Sequence, residues 1–96
     1  MNMLKDIVAV RPLEQHRLYL RFEDGIEGTV DLTDLVHFER VFAPLQDQAE
    51  FERVYVDAEL GTICWPNGAD LDPVVLYARV TGQPIPFEPG VESYVR

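Results

Sequence analysis

Between residues 17 and 32 apolar and polar side chains alternate with a period of two. Leu18, Leu20 and Phe22 fall on one side of Glu23-Asp24-Gly25, and Ile26, Gly28, Val30 and Leu32 on the other. That alternation predicts a β-hairpin with one buried face. A two-residue Asp24-Gly25 loop sets Phe22 against Glu27 and Leu20 against Thr29, mixing polar groups into the apolar face. A three-residue loop sets Phe22 against Ile26 and Leu18 against Val30, so the longer loop is expected. In that register Arg21 faces Glu27 and Arg17 faces Asp31 on the outer side. Gly25 then takes the left-handed position of the loop.

Upstream, Asp6 to Arg11 is short and β-branched and reads as an adjacent or edge strand whose pairing on one edge ends at Pro12, completing a three-stranded meander. Downstream, Thr33 is expected to cap a helical turn over residues 34 to 37, and residues 42 to 45 form an irregular segment burying Phe42 and Leu45. Asp47 with Glu50 resembles a capping box opening a short helix from Gln48 to Arg53 that buries Phe51. Val54 to Asp57 and Thr62 to Trp65 form a second hairpin around Ala58-Glu59-Leu60-Gly61, with Val56 opposite Ile63. Pro66-Asn67-Gly68 turns the chain, Asp72 caps, Pro73 occupies the first helical position, and a helix runs to about Val80 before Thr81-Gly82 end it. The pattern therefore predicts an α+β domain of two antiparallel β-hairpin or meander units with short helices packed on the sheet. A short C-terminal helix closes this compact domain, residues 1–82. Residues 83–96, with Pro84, Pro86 and Pro89, read as an extended tail.

The 96 residues suffice for one domain with a single core, and an apolar fraction of 47% can fill it. The single cysteine, Cys64, rules out an intramolecular disulfide and points to a reducing, cytoplasmic setting. The N-terminus lacks the pattern of a secretory signal, and no apolar run approaches a membrane span. Seventeen acidic residues against eight basic give a net charge of −9. This makes nucleic acid and anionic membranes poor partners and a small basic protein a better one.

Several motifs match a known family in order and spacing. They are Phe22-Glu23-Asp24-Gly25, Val30-Asp31-Leu32, Val41-Phe42-Ala43-Pro44-Leu45, Phe51, Val56-Asp57, Gly61 to Pro73, and Leu76-Tyr77. Over about residues 4 to 78 the chain resembles the small bacterial domain of unknown function catalogued as DUF2442. The resemblance implies a compact α+β domain and no established activity. It also implies that some relatives carry a following helix-turn-helix segment and that others sit beside small partner genes in toxin-antitoxin-like pairs. The tail here is too short and proline-rich for a helix-turn-helix.

Candidate chemistry centres on Trp65 to Asp72. Asp70 and Asp72 are two apart and could share a hard cation if the backbone turned between them, but capping and turn bonds explain both. Asn67-Gly68 lacks the longer glycine pattern of a phosphate loop. His16 and His37 have no nearby ligand partners for zinc and read as structural, His16 facing solvent at the start of a strand. Cys64 reads as a buried, inert thiol. Trp65, Tyr77, Tyr55 and Tyr19 could form an aromatic patch beside the turn. No catalytic, metal or cofactor residue is assigned. The candidate binding loop comprises Trp65, Asn67, Asp70, Asp72 and Tyr77.

The leading expectation is a non-enzymatic protein-interaction module, the acidic partner in a toxin-antitoxin-like pair. The alternative is a small-ligand or metal-binding enzyme using the Trp65-Asp72 loop. A third reading, a DNA-linked regulator, needs a basic face that Arg11, Arg17 and Arg21 barely supply. Pairing of first strands between two copies offers a route to a homodimer, which Pro12 opposes.

Overall fold

The computed structural model describes residues 5–82. The first sheet is the expected meander, with β1 (Ile7–Leu13), β2 (Arg17–Phe22) and β3 (Glu27–Asp31) in the order β1-β2-β3. The β2–β3 register is the one that apolar matching demands, with Leu18 opposite Val30, Leu20 opposite Gly28, Arg21 opposite Glu27 and Arg17 opposite Asp31. Leu18, Leu20 and Phe22 are wholly buried.

β1 differs from its expected form in two ways. It continues through Pro12, which stands opposite Leu18, to Leu13. As an edge strand it can lack a donor without breaking an interior ladder. It also carries a bulge, because Ile7 pairs with Phe22 and Ala9 with Arg21, leaving Val8 as the extra residue. The bulge reconciles Ile7 and Val10, three positions apart, with one inner face: Ile7 is buried and Val10 packs against the core.

The expected cap at Thr33 is instead Asp31, whose Oδ1 accepts from the Thr33 amide at 2.9 Å and its hydroxyl at 2.6 Å, opening a 3-10 turn over Leu32–Asp34. A second 3-10 run, Arg40–Gln46, buries Phe42 and Leu45. Asp47 caps the four-residue α1 (Gln48–Phe51), shorter than expected, through the Ala49 amide. Glu50 lies 3.5 Å from Arg53. β4 (Tyr55–Asp57) and β5 (Thr62–Cys64) form the second hairpin with Val56 opposite Ile63. α2 (Pro73–Thr81) starts at Asp72, whose Oδ1 accepts from the Val74 amide, and stops at left-handed Gly82. The proline-rich tail lies outside the described residues.

One turn is used twice. Phe22 accepts the Gly25 amide and donates its own to Ile26, while Trp65 accepts the Gly68 amide and donates its own to Ala69. In each, the side chain before the glycine accepts the amide two residues on, Asp24 from Ile26 and Asn67 from Ala69. Gly25 and Gly68 have φ of 91° and 96°, where a Cβ is strained. The pattern aromatic-x-Asp/Asn-Gly-apolar therefore closes both the β2–β3 hairpin and a tight return in which Cys64 bridges Asp70.

A single core joins the two sheets and α2, with Phe22, Phe51, Ile63, Trp65, Leu71 and Leu76 among its members. Trp65 donates Nε1 to the Phe51 carbonyl at 2.9 Å, and the Thr62 hydroxyl donates to the Leu71 carbonyl at 2.6 Å. Among the described residues no buried side-chain nitrogen or oxygen lacks a partner, as a stable interior requires.

Candidate functional site

The residues of the Trp65-Asp72 segment serve several different contacts. Trp65 is 1% exposed, packed near Phe42 and Phe51. Asn67 reaches across to the Val41 carbonyl at 2.8 Å. Asp70 is half-buried at the bridge to Cys64, and Asp72 caps α2. Tyr77 leaves this neighbourhood and donates its hydroxyl to Asp24 Oδ2 at 2.6 Å. The four aromatics do not share one patch: Trp65 is core, Tyr77 lies on Phe22, and Tyr19 occupies the outer sheet face.

His16 is half-buried rather than solvent-facing. Its Nε2 lies 2.7 Å from the Leu45 carbonyl, and its ring packs on Phe38 and Phe51. His37 is exposed, and among the described residues no group of three or more His, Cys, Asp or Glu is placed to hold a metal. A polar cleft of about 120 Å³ between β3, the following turn and α2 contains Asp31, Asp34 and Arg79. It is well below the roughly 300 Å³ at which small-molecule pockets begin.

Main-chain bonding builds a different feature, at the end of the molecule where β1 starts. The Glu23 amide donates to the Asp6 carbonyl, and the Ile7 amide donates to the Gly61 carbonyl, each at 2.9 Å. The Asp6 amide in turn donates to Glu23 Oε2 at 3.2 Å. These bonds bring the β2–β3 turn, the start of β1 and the β4–β5 loop to one pole. The approach is close: a Cβ on Gly61 would stand 2.4 Å from Asp6 Oδ1. Asp57 shapes the loop by accepting the Glu59 and Leu60 amides.

The pole thus carries Asp6, Glu23, Asp24, Asp57 and Glu59, with one cation, Lys5, close enough to act on Asp24. Interspersed are three exposed apolar side chains: Leu60 at 55%, Val8 at 53% and Ile26 at 36%. The hydroxyl of Tyr77, followed by the Ile26 amide, holds the Asp24 carboxyl below its usual range, and Asp24 pushes the Tyr77 hydroxyl up. Asp24 therefore keeps its charge to a lower pH than an unperturbed carboxylate. Sequence reasoning passed over Leu60 and Val8; the available signal was a leucine at a hairpin tip between Glu59 and Gly61, where a polar residue is usual.

Residues 7–82 match the family described as a protein of unknown function, DUF2442. The chain belongs to this family. The match spans both sheets and ends at Gly82, the cap of α2, so the DUF2442 domain coincides with the packed unit built from β1 to α2. No curated protein and no solved structure matches the chain. No helix among the described residues of this DUF2442 domain is long and apolar enough to cross a membrane.

Proposed function

We propose that this DUF2442 domain is a non-enzymatic interaction module that binds a small basic protein through the pole formed by Asp6, Glu23, Asp24, Asp57, Glu59, Val8, Ile26 and Leu60. The observation that carries this reading is the exposure of Leu60 and Val8 on segments that also bring carboxylates to this pole. An apolar centre supplies desolvation energy, while charges at its edge steer a partner and suppress wrong ones. The net charge of −9 adds a long-range field of the same sign. A basic partner with an apolar anchor fits both parts of the surface. The domain then acts as the acidic half of a cytoplasmic, bacterial, toxin-antitoxin-like pair.

The test is co-purification of the tagged chain from its native host at moderate salt, compared with the double variant Glu59→Lys, Leu60→Ser. Neither side chain supports the fold in the hydrogen bonding described, so the variant stays folded. A small basic protein retained by the unmodified chain, lost from the variant and released as salt rises is the expected result. A chain that elutes alone, or a partner held equally by the variant, sinks the reading.

A further inference from the structure

The outer face of the meander gathers three of the eight basic residues of the chain. The β1–β2 and β2–β3 registers place Arg11 opposite Tyr19, Arg21 opposite Glu27 and Arg17 opposite Asp31. Strand alternation puts these six side chains on the face turned away from Leu18 and Leu20. All three arginines are exposed. These six side chains sum to +1 in a chain of −9, and Glu23 and Asp6 follow at the end of the same strand pair.

The register predicts two cross-strand charge pairs, yet both carboxylates take their hydrogen bonds elsewhere, and Arg17 acts on Asp31 only at longer range. Glu27 accepts the Tyr19 hydroxyl at 2.5 Å, and Asp31 caps the following turn through Thr33. Among the described residues the one ion pair within 4.0 Å is Arg53 with Glu50. None of Arg11, Arg17 and Arg21 has a carboxylate of a described residue within 4.0 Å of its guanidinium. Arg11 lies over the Tyr19 ring at 5.4 Å, and Arg17 Nε reaches the Glu14 carbonyl at 3.3 Å. The result is three exposed arginines around an aromatic ring whose hydroxyl is fixed. Arginine and tyrosine are also the side chains that dominate protein-binding hot spots.

We propose that this face binds an acidic polypeptide segment in extended conformation, laid along β2. Arg17 and Arg21 are four residues apart on one strand, a span of about 13 Å at roughly 3.3 Å per residue. An extended segment with carboxylates at positions i and i+4 has the same span, so each carboxylate meets one fork. The side chain at i+2 falls over Tyr19 and Arg11, where an apolar or aromatic group stacks. A nucleic-acid strand fits less well. It carries a phosphate at every nucleotide, which sets charge against Glu27 and Asp31 as well as against the arginines, whereas the peptide brings carboxylates to the two forks alone. The face adjoins the acidic pole at Glu23 but takes a partner of the opposite charge and is tested by different variants, so this inference stands or falls independently of the proposed basic partner.

The probe is a labelled nine-residue peptide with glutamates at its third and seventh positions, phenylalanine at the fifth and serine elsewhere, titrated with the full chain and read by fluorescence anisotropy. Binding at low salt is expected to weaken severalfold with half-molar salt. It is expected to fall about tenfold on Arg17→Gln or Arg21→Gln, and also when the two glutamates are moved next to each other. Replacing all three arginines by lysine keeps the charge and loses the fork, and is expected to retain only part of the binding. Circular dichroism confirms that each variant is folded. Three results overturn the proposal. One is no peptide binding up to millimolar chain. The second is binding unchanged in the triple Arg→Gln variant. The third is binding by the three arginines of a different occupant in place of the peptide, either oligothymidylate in the same assay or a second copy seen as concentration-dependent mass in sedimentation.

Discussion

Tyr77 and Asp24 lie 53 residues apart and meet through a 2.6 Å hydrogen bond that ties α2 to the β2–β3 turn. Beneath it the Tyr77 ring stands edge-on to Phe22, with centroids 4.9 Å apart. The contact joins the last helix to the first hairpin and fixes one carboxylate of the acidic pole.

Its pH dependence has a definite sign. The folded-state Asp24 carboxyl sits below its ordinary 3.8, and the Tyr77 hydroxyl sits above its ordinary 10.0. The contribution of Asp24 is therefore complete above the unfolded carboxylate range and is lost as pH falls through the depressed folded value. That of Tyr77 is complete below the unfolded tyrosine range and is lost as pH rises through the elevated one. In Tyr77→Phe the Asp24 carboxyl is expected to titrate closer to 3.8. NMR titration of the carboxyl carbon measures it, and an unmoved Asp24 would show that the bond is not formed in solution.

Gly28 makes room for α2. A Cβ at this position would stand 2.8 Å from Val80 Cγ1. Gly28→Ala should cost about 1–3 kcal/mol by overpacking. Adding Val80→Ala should recover part of that loss, giving a coupling energy of about 0.5–3 kcal/mol in a double-mutant cycle. Chemical denaturation of the four proteins measures it; strictly additive losses would contradict the contact.

Thr62 is a fully buried polar residue, and its hydroxyl satisfies the Leu71 carbonyl. Thr62→Val preserves shape and removes the donor, which should destabilise the fold by about 1–3 kcal/mol. Thr62→Ser keeps the donor and should lose less. Equal losses in the two variants would assign the effect to packing alone.

Trp65 is the single tryptophan of the chain and is 1% exposed. Its native emission should be blue-shifted and poorly quenched by acrylamide, and both properties should change in one step on unfolding. Trp65→Phe leaves the Phe51 carbonyl without its 2.9 Å donor and opens a void, so a loss of about 2–4 kcal/mol is expected. Free quenching in the native state would place this side chain outside the core.

The parts of the fold that were readable from sequence are those set by local rules. The three-residue loop at Gly25 followed from matching Leu18 with Val30, and the α2 start followed from Asp72 before Pro73. Where two local rules compete, the reading failed. Asp31 and Thr33 both have capping side chains, and burial of Leu32 decided for Asp31. The Val8 bulge was hidden because Ile7 and Val10 fit neither a period of two nor a turn signal. His16 reads as polar by composition, but its ring stacks on Phe51 from a loop 35 positions away in sequence. The acidic pole was the least legible feature, since its residues meet only through the Asp6–Glu23 and Ile7–Gly61 main-chain bonds. The arginine face was half legible. Strand register placed Arg17 and Arg21 opposite acids, and only the Tyr19 and Thr33 bonds reveal that those acids are occupied.

The anchoring of α2 on the first hairpin also sets an order of events during synthesis. The greasy side of β2 is complete once residue 22 is made, but its lid, from Leu71 to Val80, arrives some 50 residues later. At about 5–20 residues per second the nascent meander waits several seconds for this last part of its cover. Until then Leu18, Leu20 and Phe22 lack the part of their packing that the last helix supplies.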